Sequence, residues 1–267
     1  MRRNPAVAGQ FYFDSPAKLN NQVQKYVSQN LSRKRAIGVL SPHAGLIYSG
    51  PVAGSVYSSF EMPETFVLIG PNHTGVGSPV SLMPQGEWEI PTGIFQIDEV
   101  LSQRILKEVP IAESDVQAHL FEHSLEVQLP FIAFFSKKSR LVPITILAAT
   151  LEECMAIGEG IARAISKTDY SVVVVASSDM SHYVSDETAR KKDKLAIDRI
   201  LSLDPEGLYG TIKREHISMC GYIPATVMLY AAKSLGAREA TLSRYATSGE
   251  VSGDYDHVVG YAGIIIS

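Results

Sequence analysis

Cysteine is scarce in this chain: Cys154 and Cys220 are the only two among 267 residues. That is too few for a disulfide framework, and a reducing compartment, the cytoplasm, is the expectation that follows. No apolar run approaches the roughly 20 residues that a bilayer requires, so no membrane segment is expected. The opening Met1-Arg2-Arg3-Asn4-Pro5 has no apolar centre and does not resemble a signal peptide. Basic charge is not in excess either. Lys and Arg number 24 against 28 Asp and Glu, a net charge of −4, which argues against a nucleic-acid partner. A G-x-S-x-G elbow is missing, so a serine hydrolase is not indicated. No internal repeat, low-complexity tract or linker interrupts the sequence, and a single domain over residues 1–267 is expected.

What is present is an alternation of short apolar runs with amphipathic stretches. Ser15-Pro16 has the form of a helix cap followed by proline in the first turn, with Leu19, Val23, Tyr26, Val27 and Leu31 at helical spacing. A strand over 36–40, a helix beginning near Gly50 and a strand over 65–69 make a βαβ unit, which implies parallel pairing. Residues 75–91 suit an irregular or hairpin excursion. Helices are expected over 98–109 and over 124–135, the second kinked or interrupted by Pro130. Pro143 marks the strand over 141–147 as an edge or a bulge. Beyond it the pattern gives a helix over 151–166, a buried strand over 171–176, a charged helix from Asp186 to Leu201 capped by Ser185, helices over 205–213 and 221–235, and strands over 240–246 and 258–266. The fold class is α/β, with a central, mostly parallel sheet flanked by helices.

Chemistry gathers just past the strand ends. Ser41-Pro42-His43-Ala44-Gly45 and Gly70-Pro71-Asn72-His73-Thr74 each follow an apolar run, Val172-Val173-Val174-Val175 leads into Ser177-Ser178-Asp179-Met180-Ser181-His182, and Tyr245-Ala246 leads into Thr247-Ser248-Gly249-Glu250. In open α/β sheets ligands collect outside the carboxyl ends of the strands. Neighbouring strands lie about 5 Å apart, or about 10 Å with one strand between, so loops on such strands can bring two imidazoles to one ion. His43, His73 and Glu250 would form two histidines and a carboxylate, the set that leaves open positions on Fe(II). His182 suits a general acid or base, since an unperturbed imidazole titrates near neutrality, and Asp179 would orient a ring or stabilise a charge. His123, beside Glu122, is placed to donate to a substrate oxygen. His119 is expected to cap the surface, and His216 and His257 to have structural or surface roles. Cys154 is expected to be a small buried apolar residue. Cys220 precedes a helix start, whose dipole would lower its pKa and make it a reactive or pocket-lining thiol.

Arg3-Asn4-Pro5-Ala6-Val7-Ala8-Gly9-Gln10-Phe11-Tyr12, Pro42-His43-Ala44-Gly45, Gly70-Pro71-Asn72-His73, Glu122-His123-Ser124, Ser177-Ser178-Asp179-Met180-Ser181-His182 and Cys220-Gly221 together resemble the Memo family, in order and across nearly the whole chain. That family is similar in fold to the class III extradiol ring-cleavage dioxygenases, which use non-haem Fe(II). The resemblance implies a metal pocket at one end of the sheet, with His43 and His73 as ligands and His123, Asp179 and His182 as further pocket residues. The third ligand is expected in the loop before the final strand, where Glu250 offers a carboxylate and no cysteine offers a thiolate. A divalent ion is implied, Fe(II) first, with copper or zinc as alternatives. Three functions follow: a metal-dependent oxidoreductase of the extradiol type, a non-catalytic binding or accessory protein working with a radical-SAM partner, or a metal-assisted hydrolase. The ligand would be a small molecule or a peptide.

Overall fold

The structure is a computed structural model that describes residues 1–28 and 33–267. Leu31, the last residue of the first helical stripe, lies outside them. In chain order the main elements are α1 (Pro16–Gln24), β1 (Gly38–Ser41), α2 (Leu46–Ser58), β2 (Thr65–Pro71), β3 (Val80–Leu82), α3 (Glu99–Glu108), β4 (Arg140–Ile146), α4 (Leu151–Ile165), β5 (Val172–Ser177) and β6 (His182–Val184), then α5 (Asp186–Leu201), α6 (Pro205–Arg214), α7 (Tyr222–Ser234), β7 (Ala240–Thr247) and β8 (Val258–Ile266). Helix starts follow local chemistry. Asp98 accepts from Leu101 N, Thr150 and Glu153 form a reciprocal capping box, and the Ser185 side chain accepts from Thr188 N.

The main sheet runs β6-β8-β1-β5-β2-β4-β3 and ends on Glu113–Ser114, with β7 pairing the outer side of β8. Its centre, β1-β5-β2-β4, is parallel. Both wings are antiparallel where β8 meets β1, β6 and β7, and where β3 meets β4. The βαβ expectation holds in direction, but β5 lies between β1 and β2, with Ala176 opposite both Leu40 and Ile69. Consequently the carboxyl ends of β1, β5 and β2 share one edge, and the loops bearing His43, Asp179 and His73 leave from it side by side.

Alternate residues of these strands feed two apolar clusters on opposite faces. Leu40, Val67, Ile69, Val174 and Ala176 join residues of α3, α4 and α7 such as Leu101, Cys154 and Val227. Val39, Phe66, Leu68, Val173 and Val175 join residues of α1 and α2 such as Leu19 and Val56. Burial on both faces explains why the central strands are continuous apolar runs.

Two local expectations, at α2 and at Pro143, are corrected. Helix α2 starts at Leu46 and contains Pro51, whereas proline is more at home near a helix start. Of the two outcomes expected at Pro130 the segment shows interruption: a 3₁₀ turn at Glu126–Gln128 gives way to the helix Leu129–Phe135, with Pro130 in its first turn. Pro143 lies in an interior strand, where its carbonyl accepts from Met83 N just past the end of β3. Its missing N–H points to that same side, at the last rung beside β3, so only the terminal bond of that ladder goes unmade. Residues 75–91 form the excursion expected of them, contributing β3 and the first strand of the Glu87–Ile90 and Gly93–Gln96 hairpin. No helix among the described residues is long and apolar enough to cross a membrane.

Candidate metal centre

His43 follows the end of β1 and is 2% exposed. Its backbone N–H donates to Asp179 Oδ1 at 2.8 Å, as does that of Ala44 at 3.3 Å, so Asp179 holds the loop's backbone rather than a ring. His43 Nδ1 lies 3.0 Å from Ser177 Oγ. The Ser177 hydroxyl donates its one proton to the Ser124 carbonyl at 2.6 Å, so toward His43 it accepts, and the ring proton sits on Nδ1. Nε2 keeps its lone pair. His73 follows the end of β2 and repeats this logic. Its Nδ1 is 2.9 Å from Glu122 Oε1, and its backbone N–H donates to the other oxygen of that carboxylate. An ionised carboxylate only accepts, so the second imidazole also leaves Nε2 free.

His123 completes the group. Ring centroids lie 5.2 Å apart for His43 and His73, 5.5 Å for His43 and His123, and 4.6 Å for His73 and His123. One ligand nitrogen from each falls within 4.8 Å of the others, making this the set that could hold a metal ion among the described residues. Even at that limit the three atoms lie about 2.8 Å from a common centre, less than about 1 Å beyond an imidazole–metal bond. Outer contacts that fix the ring and leave one nitrogen bare are what a metal-binding histidine needs, and the donor set fits a divalent ion.

Electrostatics favours the ligating form. Burial, then the neighbouring His123 and His73, pushes the His43 pKa well below its ordinary value. His123 is lowered as well, burial outweighing the Glu122 charge that opposes it. Burial alone would raise Glu122, but the hydrogen bond and charge of His73, the Ser124 N–H and His123 bring it to about 2. Burial raises Asp179 despite the two N–H groups it accepts.

Cys220 stands on the metal-facing side of His43, its Sγ 3.4 Å from Nε2, and it accepts from Asp179 N at 3.3 Å. Glycine at 221 makes this possible: a Cβ there would lie 2.4 Å from the Ser177 carbonyl oxygen, so only glycine lets the start of α7 press onto the end of β5. The expected lowering of the thiol pKa is not found. Burial, followed by the Asp179 charge, pushes it up to about 12.

Glu250 does not join the cluster. It lies on the short helix Gly249–Ser252, exposed, with Arg190 Nη2 3.1 Å from its carboxylate. Arg190 also holds Asp186, which accepts from Thr247 Oγ1, so this loop is tied to α5. The third nitrogen of the group is that of His123, not a carboxylate from the loop before β8. His182 is half-buried and outside the trio; its backbone N–H donates to Ser218 Oγ and its Nδ1 lies 2.8 Å from the Ser218 carbonyl. His119 is no surface cap but is fully buried, its ring against Trp88 at 5.9 Å. His216 and His257 are exposed and Cys154 is buried, as expected. Sequence reasoning gave no role to Glu122 or Ser177. Both sit beside quoted site residues, and that adjacency was the available signal.

The family model for Memo-like protein matches residues 3–265. A MEMO1 family protein of Methanothermobacter thermautotrophicus is 44% identical, over 98% of this chain and 99% of its own length. One from Methanosarcina mazei is 42% identical over 99% and 98%. The crystal structure of an uncharacterised protein from Escherichia coli K12 superposes with a TM-score of 0.55 at 14% identity, covering 86% of this chain and all of that one, a likeness of fold alone. Matched from end to end by its family model and by relatives of nearly equal length, the chain belongs to the Memo family.

Proposed function

We propose that the protein is a metal-dependent oxidoreductase acting on a small molecule at a divalent ion held by His43, His73 and His123, with Fe(II) as that ion. The observation that carries this reading is the convergence of three imidazoles with ligand nitrogens within 4.8 Å, two of them held through Nδ1 by Ser177 and Glu122. When bound, such an ion supplies a Lewis acid with positions open to substrate and, as iron, to dioxygen. The chain's own residues do the rest. Asp179 fixes the His43 loop, and the Cys220 thiol stands ready beside His43 Nε2 as a fourth donor. His182 gives its Nδ1 proton to a carbonyl that can only accept, so its Nε2 is a base for a substrate proton. The similarity in fold between the Memo family and the extradiol enzymes, implied by the sequence motifs, favours iron.

The replacement of a carboxylate by a third imidazole favours a second reading, a metal-assisted hydrolase, because three histidines with an open fourth position also hold hydrolytic zinc. An accessory role beside a radical-SAM partner would leave the same pocket without turnover. Elemental analysis of untagged protein purified without chelator should give about one ion per chain, lost in His73→Ala. Anaerobic iron loading followed by oxygen-electrode measurements on a panel of catechols tests the redox reading. Uptake supports it, and iron-loaded protein that consumes no oxygen on any of them overturns it. Release of acid or phosphate from esters by the zinc form would instead establish the hydrolase.

A further inference from the structure

Arg3 is distant in sequence from every residue of the metal group, yet it is 1% exposed and aimed at the turn that carries His123. Its Nε donates to the His119 carbonyl at 2.9 Å and its Nη2 to the Glu122 carbonyl at 2.7 Å, while Nη1 pairs with the buried Glu126 carboxylate. Trp88 covers the guanidinium, 4.3 Å from ring centroid to Cζ. Glu126 in turn accepts from Ala6 N at 2.8 Å, from Val7 N at 3.1 Å and from Tyr12 Oη. Beside Tyr12, Phe11 packs its ring against His123, centroids 4.8 Å apart and planes tilted by 59°, and its carbonyl accepts from Leu46 N at 2.8 Å, just past the His43 loop.

We propose that the N-terminal strap, residues 3–12, is a working part of the metal centre, with Arg3 as a positioning residue that sets Glu122 and, through it, the rings of His73 and His123. This rests on the reading that the three imidazoles bind an ion. A buried Arg–Glu pair generally adds little net stability, since desolvating the two charges offsets their attraction. What the planar fork does supply is direction: it grips two carbonyls three residues apart, and the carboxylate on the second of them is the one that holds His73 and lies 3.5 Å from His123 Nδ1. Outer groups of this kind tune metal affinity by orienting the ligands.

Arg3→Lys keeps the positive charge against Glu126 but cannot fork onto both carbonyls. A chain combining Arg3→Met with Glu126→Gln leaves no unpaired buried charge, and Phe11→Leu alters the strap without touching the ion pair. Full-length protein is titrated with Co(II) and followed by visible absorption, alongside thermal unfolding and ring-nitrogen NMR of the metal-free protein. Arg3→Lys is expected to unfold near the parent temperature yet to bind Co(II) about 10- to 100-fold more weakly, with an altered visible spectrum. The His73 and His123 nitrogen resonances should move, while His43, anchored by Ser177, keeps its own. Phe11→Leu should shift His123 alone. If folded variants keep the parent affinity and the parent His73 and His123 resonances, the proposal is wrong. Should the parent protein take up no Co(II), the metal reading itself fails, and the ring resonances still decide whether Arg3 sets the imidazoles.

Discussion

Each imidazole of the cluster is committed by the atom on its far side, so removing that atom has a different effect from removing a charge elsewhere. Glu122→Gln replaces a carboxylate that receives the His73 ring and backbone and the Ser124 N–H. An amide oxygen cannot serve all of them, and zinc affinity measured by competition with a chelating dye should fall about 10- to 100-fold. Glu250→Gln, which disturbs only an exposed pair with Arg190, should leave it unchanged; an equal loss there would return the loop carboxylate to the ligand set. His119 makes a separate case. Burial, then Arg3, lowers its pKa to about 4, so the folded protein keeps the ring neutral while the unfolded chain protonates it below about 6.5. Its contribution is therefore complete above about pH 6.5 and is lost as pH falls toward about 4. Between pH 7 and pH 5 the loss comes to about 2 kcal/mol. His119→Met removes the titrating group, and urea unfolding at those two pH values should show the gap between them narrow by about that amount.

At the scale of elements, what the sequence made legible was local and what it hid was not. Ser185, Asp98 and Pro16 announce their helices because a cap or a first-turn proline acts within four residues. The insertion of β5 between β1 and β2 is a pairing across more than a hundred residues, and no periodicity encodes it. Pro143 suggests an edge because local sequence does not show where a neighbouring strand stops, and here its missing N–H falls on the terminal rung of the ladder to β3. The site divides in the same way. His43 and His73 are legible as strand-end residues and Asp179 as their neighbour; Glu250 also follows a strand end, but its pairing with Arg190 on α5 has no local signature. Cys220 depends on how closely α7 approaches β5. Gly221 has φ −100°, a conformation open to any residue, so its substitution is limited by space and not by backbone. In Gly221→Ala the new methyl would meet Ser177 O at 2.4 Å and Ser178 Cβ at 2.5 Å, and α7 must retreat, carrying Cys220 from His43. Thermal unfolding should register a loss of about 1–3 kcal/mol, and the sulfur-to-metal absorption of Co(II)-loaded protein should weaken. A variant with parent stability and spectrum would mean that the thiol does not owe its position to this contact.

For the whole molecule, the question is whether the metal builds the fold or occupies it. The apolar clusters fill the two faces of the sheet with side chains of its strands and covering helices, whereas His43 and His73 stand in loops past the strand ends, oriented by Ser177 and Glu122. Folding energy therefore comes from the sheet and its helices, unlike small metal-dependent domains whose binding energy is their folding energy. Chelator-treated protein should remain folded, with a single cooperative thermal transition. Adding metal to about 100 times its dissociation constant should stabilise the native state by about 2.7 kcal/mol, a rise of roughly 5 to 10 °C for a chain of this size. His73, whose side chain is 35% exposed, can be cut back without opening the core. His73→Ala should thus melt close to the metal-free parent and lose most of that rise. Calorimetry of the four samples separates the alternatives: if the chelated parent has no transition at all, the ion is a structural keystone, and the pocket described here forms only around it.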